Sequence, residues 1–223
     1  MIPKIIHCCW FSDEPKTELA ERCLASWRKF APDCEIREWT LADIPNAPEF
    51  VREAVRRRKW AFAADWLRFW ALHLEGGVYF DLDFELVAPF TPEVEFVAGQ
   101  RLANGQVGME PAILSLEKGS PIAAAMLAHY ASADFSAQVT VGEIMEGIRD
   151  RGLWIRVLEP EVMSPIGVDG KLHRTERTVG IHWYAMSWAS PKQKVLQWMS
   201  WHGMRPLIDA FLVLRNRVRE FRS

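Results

Sequence analysis

Hydrophobic positions along this chain alternate between helical and strand spacing. Residues 2–10, Ile-Pro-Lys-Ile-Ile-His-Cys-Cys-Trp, form an apolar, β-branched run that predicts a buried first strand, closed by the turn-forming Ser12-Asp13-Glu14-Pro15. Leu19, Cys23, Trp27 and Phe30 then recur at helical spacing until Pro32, and residues 34–39 return to strand character. This strand-helix-strand opening favours a parallel α/β sheet. Helical spacing resumes over residues 50–75. Strands are predicted at 94–98 and 112–116, around an Asn104-Gly105-Gln106-Val107-Gly108 loop. Ser120-Pro121 opens a helix running to Tyr130, and Thr140 with Glu143 forms a capping box for another that ends near Gly152. Short strands are predicted at 154–158 and 179–184. In residues 206–223, Leu207, Phe211, Leu214, Val218 and Phe221 form an apolar helical stripe, with Arg215, Arg219 and Arg222 on another side. Two readings of that helix stand: one that closes the domain, and one that rests on an anionic membrane surface with Trp198 and Trp201.

The stretch around which the rest is organised is residues 76–86, Gly-Gly-Val-Tyr-Phe-Asp-Leu-Asp-Phe-Glu-Leu. At a period of two, Val78, Phe80, Leu82, Phe84 and Leu86 fall on one side, and Tyr79, Asp81, Asp83 and Glu85 on the other. A single strand with one buried and one acidic face is the expectation. Same-side neighbours on a strand lie about 6.5–7 Å apart, within reach of one hard cation for Asp81 and Asp83. The plainer reading is an edge strand whose carboxylates face water. Adjacent carboxylates on one face repel, however, and call for positive charge opposite them. Gly76-Gly77 suits the end of the preceding helix. On that helix Asp65 and Arg68, three residues apart, are either a surface ion pair or, in so apolar a setting, part of a site.

At 223 residues the chain is long enough for one domain with a sizeable core. A net charge of -2 offers no general reason to expect a nucleic-acid partner. No apolar run approaches the ~18 residues that span a bilayer, and no signal peptide is read, so a cytoplasmic location is expected. Cys8, Cys9, Cys23 and Cys34 lack metal-site spacing, and reduced thiols are the expectation. Eleven tryptophans exceed what a core needs, and flat aromatic walls suit stacking on bases and sugars.

Four segments taken together carry a resemblance. They are Ile2 to Phe11, Lys59-Trp60-Ala61-Phe62-Ala63-Ala64-Asp65, Gly76-Gly77-Val78-Tyr79-Phe80-Asp81-Leu82-Asp83, and Ile181-His182 with Ser187-Trp188. In order and spacing they resemble the bacterial branch of glycosyltransferase family 32, with its sugar-binding region containing a DXD motif. The resemblance implies a GT-A fold, a mixed and mostly parallel sheet flanked by helices, over residues 1–190, with residues 191–223 as a helical extension. It also implies a nucleotide-diphosphate sugar donor (a UDP-sugar favoured), Mn2+ or Mg2+, transfer with retention, and a glycan or lipid-linked acceptor in surface polysaccharide synthesis. Carried over by position, Trp10 would stack on the base and Asp65 and Arg68 would hold ribose or sugar. Asp81 and Asp83 would bind metal and diphosphate, His182 would complete that shell, and Ser187 and Trp188 would contact phosphates.

Three departures from the family pattern stand out. Phe11 is followed by Ser12-Asp13 where Phe-Gly is usual, Trp183 replaces a common second histidine, and the Asn104 loop leaves the acceptor open. Glu110 is a conceivable catalytic carboxylate. If the departing phosphate takes the acceptor's proton, no further base is required. Two alternatives compete: a catalytically silent nucleotide-sugar-binding protein, and a haloacid-dehalogenase-type phosphatase, whose Asp-x-Asp is followed by different residues.

Overall fold

A computed structural model describes residues 1–135, 140–185, 195, 198–199 and 204. The elements follow the order β1 (Ile5–Cys9), α1 (Glu18–Phe30), β2 (Glu35–Trp39), α2 (Glu49–Arg56), α3 (Trp60–Glu75), β3 (Gly77–Phe80), β4 (Phe84–Leu86), β5 (Phe96–Arg101), β6 (Val107–Leu116), α4 (Pro121–Ser132), α5 (Val141–Arg149), α6 (Pro160–Met163) and β7 (Gly180–His182). Five strands form one mixed sheet in the order β2-β1-β3-β6-β5, in which β2, β1 and β3 run parallel and β6 is antiparallel to both β3 and β5. β4 and β7 make a separate antiparallel pair. Both faces of the large sheet are covered. Leu67, Phe69, Leu72, Ile122, Met126 and Tyr79 lie in the core on one side, and Trp27, Leu24, Val78, Phe80, Ile113 and Met163 in the core on the other. A sheet so buried reads as continuous apolar strands, which is why residues 2–10 were legible.

The first helix forms because Thr17 caps it, its hydroxyl accepting the Ala20 N–H at 3.2 Å, and because acids open and bases close it. Its buried stripe is Ala20, Cys23, Leu24 and Trp27, so Leu19 and Phe30 of the sequence pattern lie at the margin. The expected helix over 50–75 is two helices. α2 ends in a Schellman arrangement, with Lys59 N–H donating to Ala54 O and Arg58 N–H to Val55 O, and with Arg58 in the left-handed region at φ 53°. No glycine marks that stop. At this end of α2, Arg56 meets Glu49 and Glu53, and Arg57 meets Glu53. α3 ends as expected at Gly76, φ 71°, where an added Cβ would lie 2.6 Å from the Lys118 nitrogen.

Several expectations need correction. Residues 76–86 are not one strand: β3 stops at Phe80, Phe84 N–H donates to Asp81 O at 2.9 Å, and the resulting turn sends β4 to pair with β7. Tyr79 is not on a solvent face but 1% exposed in the core. Residues 154–158 make only a single bridge, Val97 to Val157, and Trp154 is exposed. β6 begins at Val107 inside the expected loop, and Ser120 precedes α4 without a side-chain capping bond. The Thr140–Glu143 capping box is present. Ser187, Trp188, Trp201 and the helix at 206–223 lie outside the described residues. No helix among the described residues is long and apolar enough to cross a membrane.

His7 joins three elements beneath the sheet edge. Its Nδ1 accepts the Trp39 Nε1–H at 3.0 Å, and its Nε2 lies 2.8 Å from the Gly76 carbonyl, so the ring is neutral with its proton on Nε2. Burial, opposed by the Gly76 bond and reinforced by the Arg37 charge, which itself pairs with Glu75, holds its pKa down at about 4. An unfolded histidine takes up its proton near 6.5. Between those values the unfolded chain binds the extra proton, so stability is lost as pH falls from 6.5 towards 4, by about 3 kcal/mol in all. Melting temperatures measured from pH 7 to 4 should fall more steeply in wild type than in His7→Gln. Parallel profiles would contradict this.

Candidate active site

β1 and β3 run parallel, so their carboxyl ends meet at one sheet edge, where ligands of open α/β sheets bind. Asp81 follows β3 directly, and its N–H still donates to Ala112 O at 2.9 Å. The turn then brings Asp83 round, and the register of β4 with β7 sets His182 opposite Phe84, one residue beyond Asp83. Gly180 allows this close approach: a Cβ there would sit 2.1 Å from the Phe84 ring. As a result His182 Nε2 lies 3.2 Å from Asp83 Oδ1, while Asp83 Oδ2 accepts the Ala185 N–H at 2.9 Å. Donor atoms of Asp81, Asp83 and His182 all lie within 4.8 Å of one another.

Behind this group stands α3. Arg68, 4% exposed, directs Nη2 to Asp65 Oδ1 at 2.9 Å and to Asp81 Oδ1 at 3.5 Å, donates Nε–H to Ala64 O at 3.3 Å and lies over the Tyr79 ring at 5.0 Å. The Asp65–Arg68 pair is therefore interior, not a surface ion pair. Glu110 enters from β6, where the β5 register breaks between Val97 and Ala98, and its Oε2 lies 3.8 Å from His182 Nδ1. Register irregularities of this kind re-aim side chains next to sites. Tyr184, φ 49°, lays its ring 4.1 Å from that of His182.

Four carboxylates thus share one small volume with Arg68 and His182. Burial pushes Asp65 up to about 6 against the pull of Arg68. Burial likewise raises Asp81 and Glu110, each lowered in part by a neighbouring cation. Burial also acts to raise Asp83, but His182 and the Ala185 N–H overcome it and leave that carboxyl below its ordinary value. For His182, burial disfavours the charged ring, yet Asp83, Glu110 and Asp81 outweigh it and hold its pKa up at about 9. An excess of negative charge at a half-open edge is the electrostatic setting that a divalent cation neutralises, and two carboxylates with an imidazole are a fitting donor set. The His182 Nδ1 is buried without a hydrogen-bond partner, so the ring has a second valence to fill.

Of the residues singled out from sequence, Asp65, Arg68, Asp81, Asp83, His182 and Glu110 come together. Trp10 sits after β1 at the same sheet edge, half-buried, its indole N–H given to Glu14 O at 2.8 Å. Trp183, where a second histidine is usual, turns its Nε1–H to Glu85 at 2.8 Å, with Arg22 over the ring at 5.1 Å. Sequence reasoning missed Tyr184 and the place of Tyr79 beneath Arg68. Cys9 lies 3.3 Å from the Tyr79 hydroxyl, and burial pushes its thiol up to about 12, which leaves it a poor nucleophile.

Residues 17–101 match the family model described as "Glycosyltransferase sugar-binding region containing DXD motif". The span includes Asp65, Arg68, Asp81 and Asp83 but not Trp10, Glu110 or His182. No curated protein sequence matches the chain. Among solved structures, the one titled "PaToxG Glycosyltransferase" is similar at TM-score 0.57 and 18% identity, covering 68% of this chain and 70% of its own. A second, "Crystal structure of a glycosyltransferase involved in the glycosylation of the major capsid of PBCV-1", is similar at TM-score 0.52 and 12% identity, covering 87% of this chain and 98% of its own. Identities this low speak for shared architecture, a GT-A-like fold. Asp81-Leu82-Asp83 thus lies inside the span that matches a DXD-containing sugar-binding region, seated at the edge of a fold similar to that of solved glycosyltransferases.

Proposed function

We propose that the protein moves a hexose or N-acetylhexosamine from a nucleotide-diphosphate sugar, a UDP-sugar first among them, to a glycan or lipid-linked acceptor with retention, as the resemblance to family 32 implies. The observation that carries this reading is the convergence of Asp81, Asp83 and His182 within 4.8 Å at the carboxyl edge of the sheet. These three residues would hold Mn2+ or Mg2+. When bound, the ion neutralises charge developing on the diphosphate as the sugar leaves. His182 would ligate only as the neutral ring, and Asp81 and Asp83 would supply the negative charge that balances the ion. Arg68 keeps Asp65 and Asp81 ionised and oriented, which leaves Asp65 to accept hydroxyl hydrogens of the donor. Trp10 is read as the stacking wall for the base, and Ser187 and Trp188 as phosphate contacts. Residues 1–190 form the catalytic unit in this reading. Residues 191–223 are an extension that closes the domain or touches the inner face of the cytoplasmic membrane.

Thermal unfolding with a panel of nucleotide sugars, with and without Mn2+, tests it. A donor at a hundred times its dissociation constant stabilises by about 2.7 kcal/mol, or roughly 5–10 °C for a chain of this size. The expected result is a rise of that order with one donor, larger when Mn2+ is present, together with slow donor hydrolysis. Stabilisation without any turnover would favour the silent binding protein. No response to any donor would overturn the reading.

A further inference from the structure

His182 has two ring nitrogens and the structure treats them differently. Nε2 faces Asp83 Oδ1 at 3.2 Å, on the side of the clustered donor atoms. Nδ1 is buried and makes no hydrogen bond, and the carboxylate it faces is that of Glu110, Oε2 at 3.8 Å. Glu110 does not belong to the group whose donor atoms lie within 4.8 Å, so it stands one step back from the cluster. Its other oxygen accepts the Ala112 N–H at 3.4 Å, and Ala112 O in turn accepts the Asp81 N–H at 2.9 Å. Glu110 is thereby tied through one residue of β6 to the far side of the same cluster.

The chemistry assigns the remaining proton. A neutral imidazole carries one N–H, and a ring that gives its Nε2 lone pair to a cation must carry it on Nδ1. Buried without an acceptor, that N–H would keep the desolvation cost of an unmade hydrogen bond. A small rotation of the Glu110 side chain closes the 3.8 Å gap to hydrogen-bond length. We propose that Glu110 is a positioning residue whose carboxylate accepts the Nδ1–H of His182, fixing the tautomer and ring orientation that present Nε2 to the divalent cation. This rests on the reading that Asp81, Asp83 and His182 hold such a cation. Pro111 biases Glu110 towards extended backbone, and the register break in β6 delivers its side chain to this place.

The test titrates Mn2+ alone into the whole chain and follows free Mn2+ by electron paramagnetic resonance. Glu110→Ala should weaken binding by about ten- to a hundredfold, the usual effect of removing a residue that orients a metal-bound histidine. Glu110→Gln keeps a carbonyl acceptor and should recover most of that loss. His182→Ala separates orientation from simple charge: in that background Glu110→Ala should change affinity less than about twofold, because there is no ring left to orient. Wild-type affinity in Glu110→Ala, or the same loss in both backgrounds, overturns the proposal while leaving the cation site standing. A wild-type chain that takes up no Mn2+ overturns the cation site, and the role of Glu110 with it. Circular dichroism of each variant reports whether the fold is retained.

Discussion

Asp83→Ala is expected to lower sugar transfer by on the order of a thousandfold and to leave the protein folded. A cation at a departing diphosphate supplies several kcal/mol of stabilisation, and each ~1.4 kcal/mol is a factor of ten in rate. Asp83 is placed to carry much of that effect because one oxygen faces His182 Nε2 at 3.2 Å, on the side of the clustered donors. The fold should survive, because Asp83 sits in a turn outside both apolar cores and its carbonyl keeps the Trp183 N–H at 2.9 Å whatever the side chain. Asp83→Asn sharpens the test. An amide oxygen still accepts from Ala185, so the melting temperature should move little, whereas the lost charge should remove Mn2+ binding and transfer together. Mn2+-dependent transfer at the wild-type rate in Asp83→Asn would sink the assignment.

The second large effect is on stability. Arg68→Met should lower the melting temperature by roughly 10 °C or more. Removing one member of a buried ion pair costs about 3–5 kcal/mol because the other is left uncompensated, and for a chain of 150–250 residues each kcal/mol is about 2–4 °C. Here two carboxylates, Asp65 and Asp81, lose their shared cation, and Tyr79 and the Ala64 carbonyl lose their partner. Methionine fills similar volume, so the loss is electrostatic more than a cavity. Restoring neutrality with Asp65→Asn in the same chain should recover part of the melting temperature. A single Arg68→Met variant that melts with the wild type would show that the site carboxylates are solvated well enough to stand without the arginine.

Much of this protein is local chemistry and could be read from residues. Pro32 follows the end of the first helix, Thr140 and Glu143 cap another, and Gly76 ends α3, each a signal within a few positions of the end it marks. The stop at Arg58 could not be read, because a left-handed cap without glycine leaves no compositional mark. Residues 76–86 show the deeper limit. Their alternation is real on the apolar side, since Val78, Phe80, Phe84 and Leu86 do share one core with Leu82 beside it. Yet the polar side divides: Tyr79 is buried, the two aspartates lie in a turn, and β4 leaves for another sheet. A period of two reports which residues seek the core, not whether the chain between them stays straight.

From its residues alone the chain determined most of its helices and strands, that Asp81 and Asp83 lie close together, and which family's motif they resemble, because those properties depend on near neighbours in sequence. Only the folded arrangement decided that Arg68 is interior, that Glu110 from β6 faces His182 from β7, and that both aspartates meet that histidine at one edge. The contacts to that histidine join residues 72 to 101 positions apart, and they are set by strand pairing and register, for which the pattern of any single segment carries no information.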